Sequence, residues 1–518
     1  MAAAAIGLLG WRAEHERAAR LELQLTELSK KEKRAVIEQS INKQMEEIAY
    51  EQKRISDERS DEAKKQADIA ELEKQNAMVA QQEAEEQRKK AEENAEIAKE
   101  NANEAKKLKD SADVQRDIAN VQRDLAQRLS YLALGRSLGA MAYNQHQSGG
   151  NKELAARLAY ASYWFTDTYG NENDLYHVSV IQALMDTSEG QRKWSHLHKG
   201  GVTGIGLMPE DENKLVTVSS YGEIFLHEMQ GDNLKTTKLF ANSGFDFRSV
   251  FVDESGTIFA VSRTGQLVIV KSDGKTEQKT LADIAHPSAL EKFGDEVLAI
   301  IGERSIAFFN MKSHQQQGTL QLGHRITASG RINKHLLLFD ERGGMHELVS
   351  FDKLETKATP AAIKGIVTAF AHSDEKGTNT YGTSDGKIYV EENGGKTKEL
   401  VGHRSRITRL RFKGNQLYSS SYDGKMNLWL YEGEKVEPIL LFESDESDAW
   451  IRYFTFDSPK THVWTGDNNG NLTRTLISVP MMVNRLKGHL LSEEEWHNYV
   501  GKSAPYQQFV SNTKGGGK

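Results

Sequence analysis

A short motif that recurs about every 40 residues constrains the fold of this 518-residue chain more than any other feature. Each copy has a polar turn, usually ending in Gly, followed by apolar residues two and four positions later. The turns lie near residues 222, 265, 304, 343, 386, 424 and 470. A period near 40 with short alternating strands is typical of a β-propeller with four strands in each blade. We therefore predict about seven blades, closed into a ring that leaves no exposed sheet edge.

The copy at residues 402–430 carries further landmarks. It reads GHRSRITRLRFKGNQLYSSSYDGKMNLWL and resembles the WD-repeat family through its Gly-His pair, its SSSYDG turn and its Trp. In that family a His, a Ser, an Asp and a Trp form a hydrogen-bonded structural tetrad. The resemblance implies this role for His403, Ser419 (or one of the two serines after it), Asp423 and Trp429. Leu430 replaces the customary final Asp of the family.

The other copies are assigned to blades on period and turn alone. Gly323-His324 is a second partial match, and the remaining copies lack both the His and the Trp. No strand is evident after Ile477 to complete the last blade. We expect residues 192–198, which precede the first blade, to supply that outer strand, as is usual in WD-repeat propellers.

A second periodicity occupies residues 12–127. Alanine recurs at every seventh position from Ala63 to Ala140, with Ile or Leu in a neighbouring phase. A sustained heptad predicts a left-handed coiled coil. Because Ala layers bury little apolar area, the helix would need a partner, either a second copy or a helix of another protein. A single, partly disordered charged helix is the alternative.

Residues 1–11 (MAAAAIGLLGW) are apolar and precede several arginines. Eleven helical residues span about 16 Å, roughly half of the hydrocarbon core of a bilayer. We interpret the segment as the end of a membrane helix that begins upstream or as an interfacial anchor, with a frayed helix start as the alternative. The expected location is the cytoplasm, with a tether to the inner membrane through this segment.

Helical patterns flank the propeller on both sides. Residues 128–187 predict a neck of three helices, with Leu129 to Leu138 on an apolar face, an aromatic second helix at 154–165 and a third helix that Asp174 would cap. The aromatic residues are expected in its core, with a ligand-binding cage as the alternative. In the tail, residues 479–518, Ser492 and Glu495 form a capping box. Trp496 and Tyr499 would share one helix face and dock on the propeller.

The tail also carries a wider resemblance. Residues 491–506 read LSEEEWHNYVGKSAPY and are similar to the LTxEEWxxYxGxxPY ending of bacterial STAND-type signalling proteins, in which a propeller is the sensor. That family has a nucleotide-hydrolysing module, but no GxxxxGK[ST] occurs in this sequence. The resemblance therefore implies either a standalone sensor or one whose NTPase or protease partner lies on another chain or upstream.

The sequence shows little sign of catalysis. It has no Cys and no HExxH, so we predict no catalytic residue, cofactor or metal site. His196 and His198 would share one face of a strand, and metal binding there is the weaker interpretation. The net charge of −7 argues against a nucleic-acid partner. Arg404, Arg406, Arg409 and Arg411 form a basic strand that we expect to be a solvated outer face; docking of an acidic partner or of a phosphate backbone is the alternative.

Together these patterns predict a multidomain chain of the α plus all-β class. Its parts are the apolar segment 1–11, the coiled coil 12–127, the neck 128–187, the propeller 192–478 and the tail 479–518. We predict a non-enzymatic scaffold or sensor that binds other proteins through the propeller and is displayed or oligomerised by the rod. The alternatives are a propeller enzyme, a carbohydrate-binding protein or a membrane-linked structural stalk.

Overall fold

The computed structural model describes residues 102–514, apart from 172–173, 175, 210, 361, 393–394, 431–435, 437, 445–448 and 503. Residues 1–120 and 121–518 form two compact units. The predicted membrane segment and the predicted coiled coil up to residue 101 lie outside the described residues. No described helix is long and apolar enough to cross a membrane.

The second unit contains a seven-bladed β-propeller, as the repeat predicts. Blades 1 to 3 are β2 (Val202–Leu207), β3 (Lys214–Ser219), β4 (Glu223–Gln230), β5 (Asn233–Ala241); β6 (Phe247–Val252), β7 (Ile258–Ser262), β8 (Gln266–Val270), β9 (Thr276–Thr280); and β10 (Ala289–Lys292), β11 (Val297–Ile301), β12 (Ser305–Asn310), β13 (Gln315–Gln321). Blades 4 and 5 are β14 (Ile326–Ile332), β15 (His335–Asp340), β16 (Met345–Ser350), β17 (Lys353–Lys357); and β18 (Val367–Ser373), β19 (Thr378–Thr383), β20 (Ile388–Glu391), β21 (Thr397–Leu400). Blade 6 is β22 (Ile407–Lys413), β23 (Gln416–Ser421), β24 (Lys425–Leu430), β25 (Pro438–Glu443), and blade 7 begins with β26 (Ile451–Phe456), β27 (His462–Asp467) and β28 (Leu472–Leu476).

Blade 7 takes its fourth strand from the N-terminal side of the propeller. Strand β1 (Gln191–Trp194) pairs antiparallel with β28, so that Trp194 lies opposite Leu472. The indole of Trp194 also stacks on that of Trp464, with ring centroids 5.7 Å apart. The predicted ring closure is thus confirmed, although the strand ends at Trp194 and residues 195–198 form a turn and loop.

The glycine of the repeated turn is required by the backbone conformation. Gly222 has a φ of +75°, a conformation that residues with a Cβ rarely adopt. A Cβ at this position would lie 1.8 Å from the carbonyl oxygen of Asn242. The turn between the second and third strands of blade 1 therefore needs glycine, because another part of the chain passes close behind it.

The described helices are α1 (Ala102–Gln147), α2 (Lys152–Tyr169), α3 (Val178–Thr187), α4 (Val479–Leu486), α5 (Glu493–Tyr499) and α6 (Tyr506–Lys514). Helices α2 to α6 and the C-terminal part of α1 form a layer at one side of the ring. Buried residues of α2 to α6 and of the C-terminal part of α1 form one core with blades 6 and 7, which includes Phe165, Leu184 and Phe454. The helical layer and these two blades therefore share a continuous hydrophobic interior.

Two details of the predicted neck are wrong. Asp174 does not cap the third helix, which begins at Val178 after His177; its carboxylate instead accepts hydrogen bonds from Arg136 and from the N–H of Asn171. Leu129 does not join the apolar core of the neck, because its side chain is exposed. The burial of α1 starts one turn later, at Leu132.

Candidate functional site

The structure brings the four predicted tetrad residues of blade 6 together. Nδ1 of His403 lies 3.0 Å from Oδ2 of Asp423, and Nε2 of His403 lies 2.7 Å from Oγ of Ser419. Trp429 donates from Nε1 to the same Oγ at 2.7 Å. With the imidazole proton on Nδ1, the chain of donors runs from Trp429 through Ser419 and His403 to Asp423. Ser419 rather than Ser420 or Ser421 is the member of the set.

The carboxylate of Asp423 ends this chain. Burial alone would raise the pKa of Asp423, but hydrogen bonds from His403 and from the N–H groups of Arg404 and Lys425 bring it below its ordinary value. The group is therefore ionised at neutral pH and ties the loop before β22 to the turn after β23. This tie fixes the backbone from which the basic strand departs.

Blade 1 contains a second hydrogen-bonded chain that the sequence analysis missed. His198 contacts Glu223 through Nδ1 at 3.0 Å and Thr217 through Nε2 at 2.6 Å. Oγ1 of Thr217 also lies 2.6 Å from Nε2 of His227. In this chain Glu223 corresponds to Asp423 of blade 6, Thr217 to Ser419, and His227 to Trp429. The sequence carries no clear signal of it, because the interval from the His to the acid is 25 residues in blade 1 and 20 residues in blade 6.

This geometry corrects the interpretation of the two N-terminal histidines. His196 and His198 lie in the turn and loop after β1 rather than on a strand, and His196 has a φ of +53°. His198 is buried in the chain just described, whereas Nδ1 of His196 lies 3.3 Å from the carbonyl oxygen of Asn469. No cluster of three His, Asp or Glu side chains with metal-ligating geometry occurs in the described part of the chain.

The first strands of the seven blades surround a central channel. Its volume is about 850 Å³, and side chains from β6, β10, β14, β18, β22 and β26 line it together with Thr203 of β2. We call the end at which these strands begin the upper rim; it includes the turns between the second and third strands. The basic lining residues are Arg248, Lys292, Arg331, Arg406, Arg409, Arg411, Arg452 and Lys460.

The predicted basic strand is the innermost strand of blade 6 and lines the channel, so the expected solvated outer face is wrong. The guanidinium of Arg409 lies over the ring of Tyr453 at 3.9 Å, and Arg411 donates to Oγ1 of Thr455 at 2.6 Å. Burial, followed by the neighbouring charge of Arg409, lowers the pKa of Arg411 to about 10. Arg404 and Arg406 precede β22 and are exposed at the upper rim.

An aromatic pair stands beside Arg406 on the upper rim. Tyr422, in the turn after β23, stacks on Trp450, which precedes β26, with ring centroids 5.0 Å apart. The N–H of Tyr422 donates to the carbonyl oxygen of Arg406 at 3.0 Å. Trp450 is 43% exposed. These three residues, which we call the rim patch, join two blades at the mouth of the channel.

The tail docks on the helical layer. The capping box of Ser492 and Glu495 is present, and Trp496 of α5 is fully buried. Its ring stacks on Phe165 of α2, with centroids 5.5 Å apart, while Tyr499 is partly buried at the same core. The ring contacts found for Trp496 are with helical residues, so the expected docking directly on a blade is replaced by docking on α2. Arg157 of α2 donates to both carboxylate oxygens of Glu495 at 3.0 Å.

Comparisons with known proteins indicate a likeness of fold. No family model and no curated protein matches the chain. Among solved structures, the chain is similar to the virginiamycin B lyase from Staphylococcus aureus, with 12% identity and a TM-score of 0.46 over 55% of this chain and 99% of the lyase. A catalytically inactive form of that lyase with quinupristin gives 13% identity and the same TM-score and coverage. A chain of the mitotic checkpoint complex gives 14% identity and a TM-score of 0.46, over 55% of this chain and 91% of that chain.

Proposed function

We propose that this protein is a non-enzymatic scaffold that binds a partner protein through the rim patch. The observation that carries the proposal is the exposed indole of Trp450, stacked on Tyr422 beside Arg406. Trp, Tyr and Arg are the residue types most enriched at the energetic centres of protein interfaces. The exposed cation of Arg406 favours a partner segment with acidic side chains.

Two observations favour a scaffold over a propeller enzyme or a carbohydrate-binding protein. Converging carboxylates in the channel would support those alternatives, but Glu291 is the one acidic residue among its lining side chains. The buried His, Ser, Asp and Trp of blade 6 hydrogen-bond to one another. Their hydrogen-bonding groups hold two loops together and do not point at a ligand site.

The test of the rim patch is Trp450→Ala, with Val349→Ala as the matched control. Val349 of β16 is also 43% exposed, but it lies away from the channel mouth. Removal of a central Trp costs about 2 kcal/mol or more of binding free energy, roughly a 30-fold loss of affinity. A partner recovered from the native host and measured by calorimetry should show this loss with Trp450→Ala and bind Val349→Ala normally. Equal affinity for both variants contradicts the proposal.

A second proposal concerns oligomerisation by the rod. Val121, Leu125 and Leu129 of α1 are 67%, 53% and 56% exposed and follow one another at intervals of four residues. Such residues share one helix face, and an apolar face of this kind is stabilised by a second helix. We propose that this stripe pairs with the same stripe of a second copy. It supports the oligomerisation that the heptad of the sequence predicts.

The role as a signalling sensor rests on the resemblance of the tail to STAND-type proteins. The buried Trp496 and the Arg157–Glu495 pair explain why such a tail is useful, because they attach the end of the propeller chain to the helices that precede it. We propose that the helical layer transmits partner binding to an NTPase-containing or protease-containing protein. Membrane contact through residues 1–11 stays a prediction from the sequence.

A further inference from the structure

The central channel concentrates positive charge in a protein whose net charge is −7. Eight of its lining residues are Arg or Lys and one is acidic. Three of the eight are paired, Arg248 with Asp246, Lys292 with Glu254 and Arg331 with Glu291. The other five cations form no ion pair with a lining carboxylate. Like charges held close together in a partly desolvated space repel one another unless an anion lies between them.

Arg409 and Arg411 are two of these cations that lie on the same strand, β22. Both project from β22 toward β26, where their contacts are the uncharged ring of Tyr453 and the hydroxyl of Thr455. A guanidinium has five N–H donors, more than these contacts use. The lowered pKa of Arg411, about 10, still leaves it charged at neutral pH. The strand β26 therefore positions two charged donors but provides no carboxylate to neutralise them.

The channel has room in front of this pair. The first strands of blades 4, 5 and 6 carry the same bulge, before Ala328, Ala369 and Arg409. Ala328 and Ala369 therefore occupy the register position of Arg409, and Ala371 occupies that of Arg411. Small side chains on two blades leave a volume of about 850 Å³, within the range of roughly 300–1,000 Å³ that is typical of small-molecule sites.

We propose that the channel binds a small polyanion of the phosphate class, held by Arg409 and Arg411. Guanidinium groups contact phosphate oxygens with two parallel N–H donors, and the further cations of the channel favour an anion with several charges over a monovalent one. The two residues that hold the anion lie inside the channel and are not part of the rim patch, which shares only Arg406 with the channel lining. The channel is thus a second binding function that does not use Trp450.

The experiment is titration calorimetry of the full chain with inorganic tripolyphosphate at low ionic strength. The wild-type protein should bind one tripolyphosphate per chain, and the affinity should fall as salt is added. The double variant Arg409→Gln/Arg411→Gln should lose at least about tenfold in affinity, because two charge-assisted contacts are removed. Arg192→Gln on β1 is the matched control, since it removes a half-exposed arginine from the outermost strand of blade 7; its affinity should equal that of the wild type.

Further variants keep the test decisive. Arg411→Lys retains the charge but not the planar pair of donors, so its affinity should lie between those of the wild type and the double variant. If the double variant unfolds at a lower temperature, the single variant Arg409→Gln replaces it. Absence of binding by the wild type, or equal weakening by the channel and β1 variants, overturns the proposal. Trp450→Ala should bind tripolyphosphate normally, so failure of the rim patch and failure of the channel site are distinguished.

Discussion

The buried histidines of the propeller act through their hydrogen bonds. Nε2 of His227 is 2.6 Å from Thr217, and Nδ1 is 2.9 Å from Oγ1 of Thr236. Burial, together with the nearby His198, lowers the pKa of His227 to about 3. A neutral imidazole satisfies both hydroxyl groups, since one ring nitrogen donates and the other accepts. At the residue scale, blade 1 therefore depends on an uncharged histidine where blade 6 has Trp429.

His227 makes the stability of the protein depend on pH. Its folded pKa of about 3 lies below the ordinary value of 6.5, so the unfolded chain binds more protons between these values. The stabilisation is complete above pH 6.5 and is lost as the pH falls toward 3, by about 1.4 kcal/mol per pH unit from this group. Urea unfolding between pH 7 and pH 4 should therefore show a shallower pH dependence for His227→Gln than for the wild type. His497→Gln, on the exposed side of α5, should keep the wild-type pH dependence. If the free energy of unfolding changes with pH equally in all three proteins, the pH dependence does not come from His227.

At the element scale, the strand β1 closes the ring. It has four residues, so its contribution comes from pairing with β28 and from the indole of Trp194 against Trp464. Closure matters because an open blade would expose the edge of β28 to pairing with other chains. In the tail, another short element is held by one aromatic side chain, because the seven-residue helix α5 is attached through its buried Trp496.

We expect Trp194→Ala to destabilise the propeller by about 2–3 kcal/mol, below the range for a fully buried Trp, because the side chain is half-buried. The measurement is the free energy of unfolding in guanidinium chloride. Trp450→Ala is the control, since this exposed Trp makes one stacking contact with Tyr422 and its loss should cost about 1 kcal/mol at most. Equal losses for the two variants would mean that β1 does not hold the ring closed.

At the scale of the whole molecule, the stripe of α1 bears on the oligomeric state. Leu125→Glu places a charge in the centre of the proposed helix pair and should reduce the mass of the full-length protein in sedimentation equilibrium to that of one chain. Gln127→Glu is the control, because residue 127 lies on the opposite face of the helix and its side chain contacts Tyr131 of the same helix. A wild-type protein that sediments as a single chain, or a Leu125→Glu variant with unchanged mass, contradicts the pairing.

The propeller, its number of blades and the tetrad of blade 6 could be predicted from the sequence alone. These features depend on neighbours within one hairpin: a turn that requires Gly222, and a Ser, an Asp and a Trp only ten residues apart. Because these residues are close together in the chain, the turn motif that contains them recurs at a regular interval in the sequence. The capping box of the tail was predictable for the same reason, since its two residues are three positions apart.

The residues at the centre of the ring could be identified only in the folded chain. The alternation of Arg409 and Arg411 with apolar residues predicts a strand with one basic face, but whether that face points outward or into a channel depends on where β22 lies in its blade. The residues that face it, Tyr453 and Glu291, are distant in the sequence. The chain of hydrogen bonds in blade 1 stayed hidden because Glu223 and His227 perform the tasks of Asp and Trp with different side chains, and a pattern of residue types does not show equivalence of geometry.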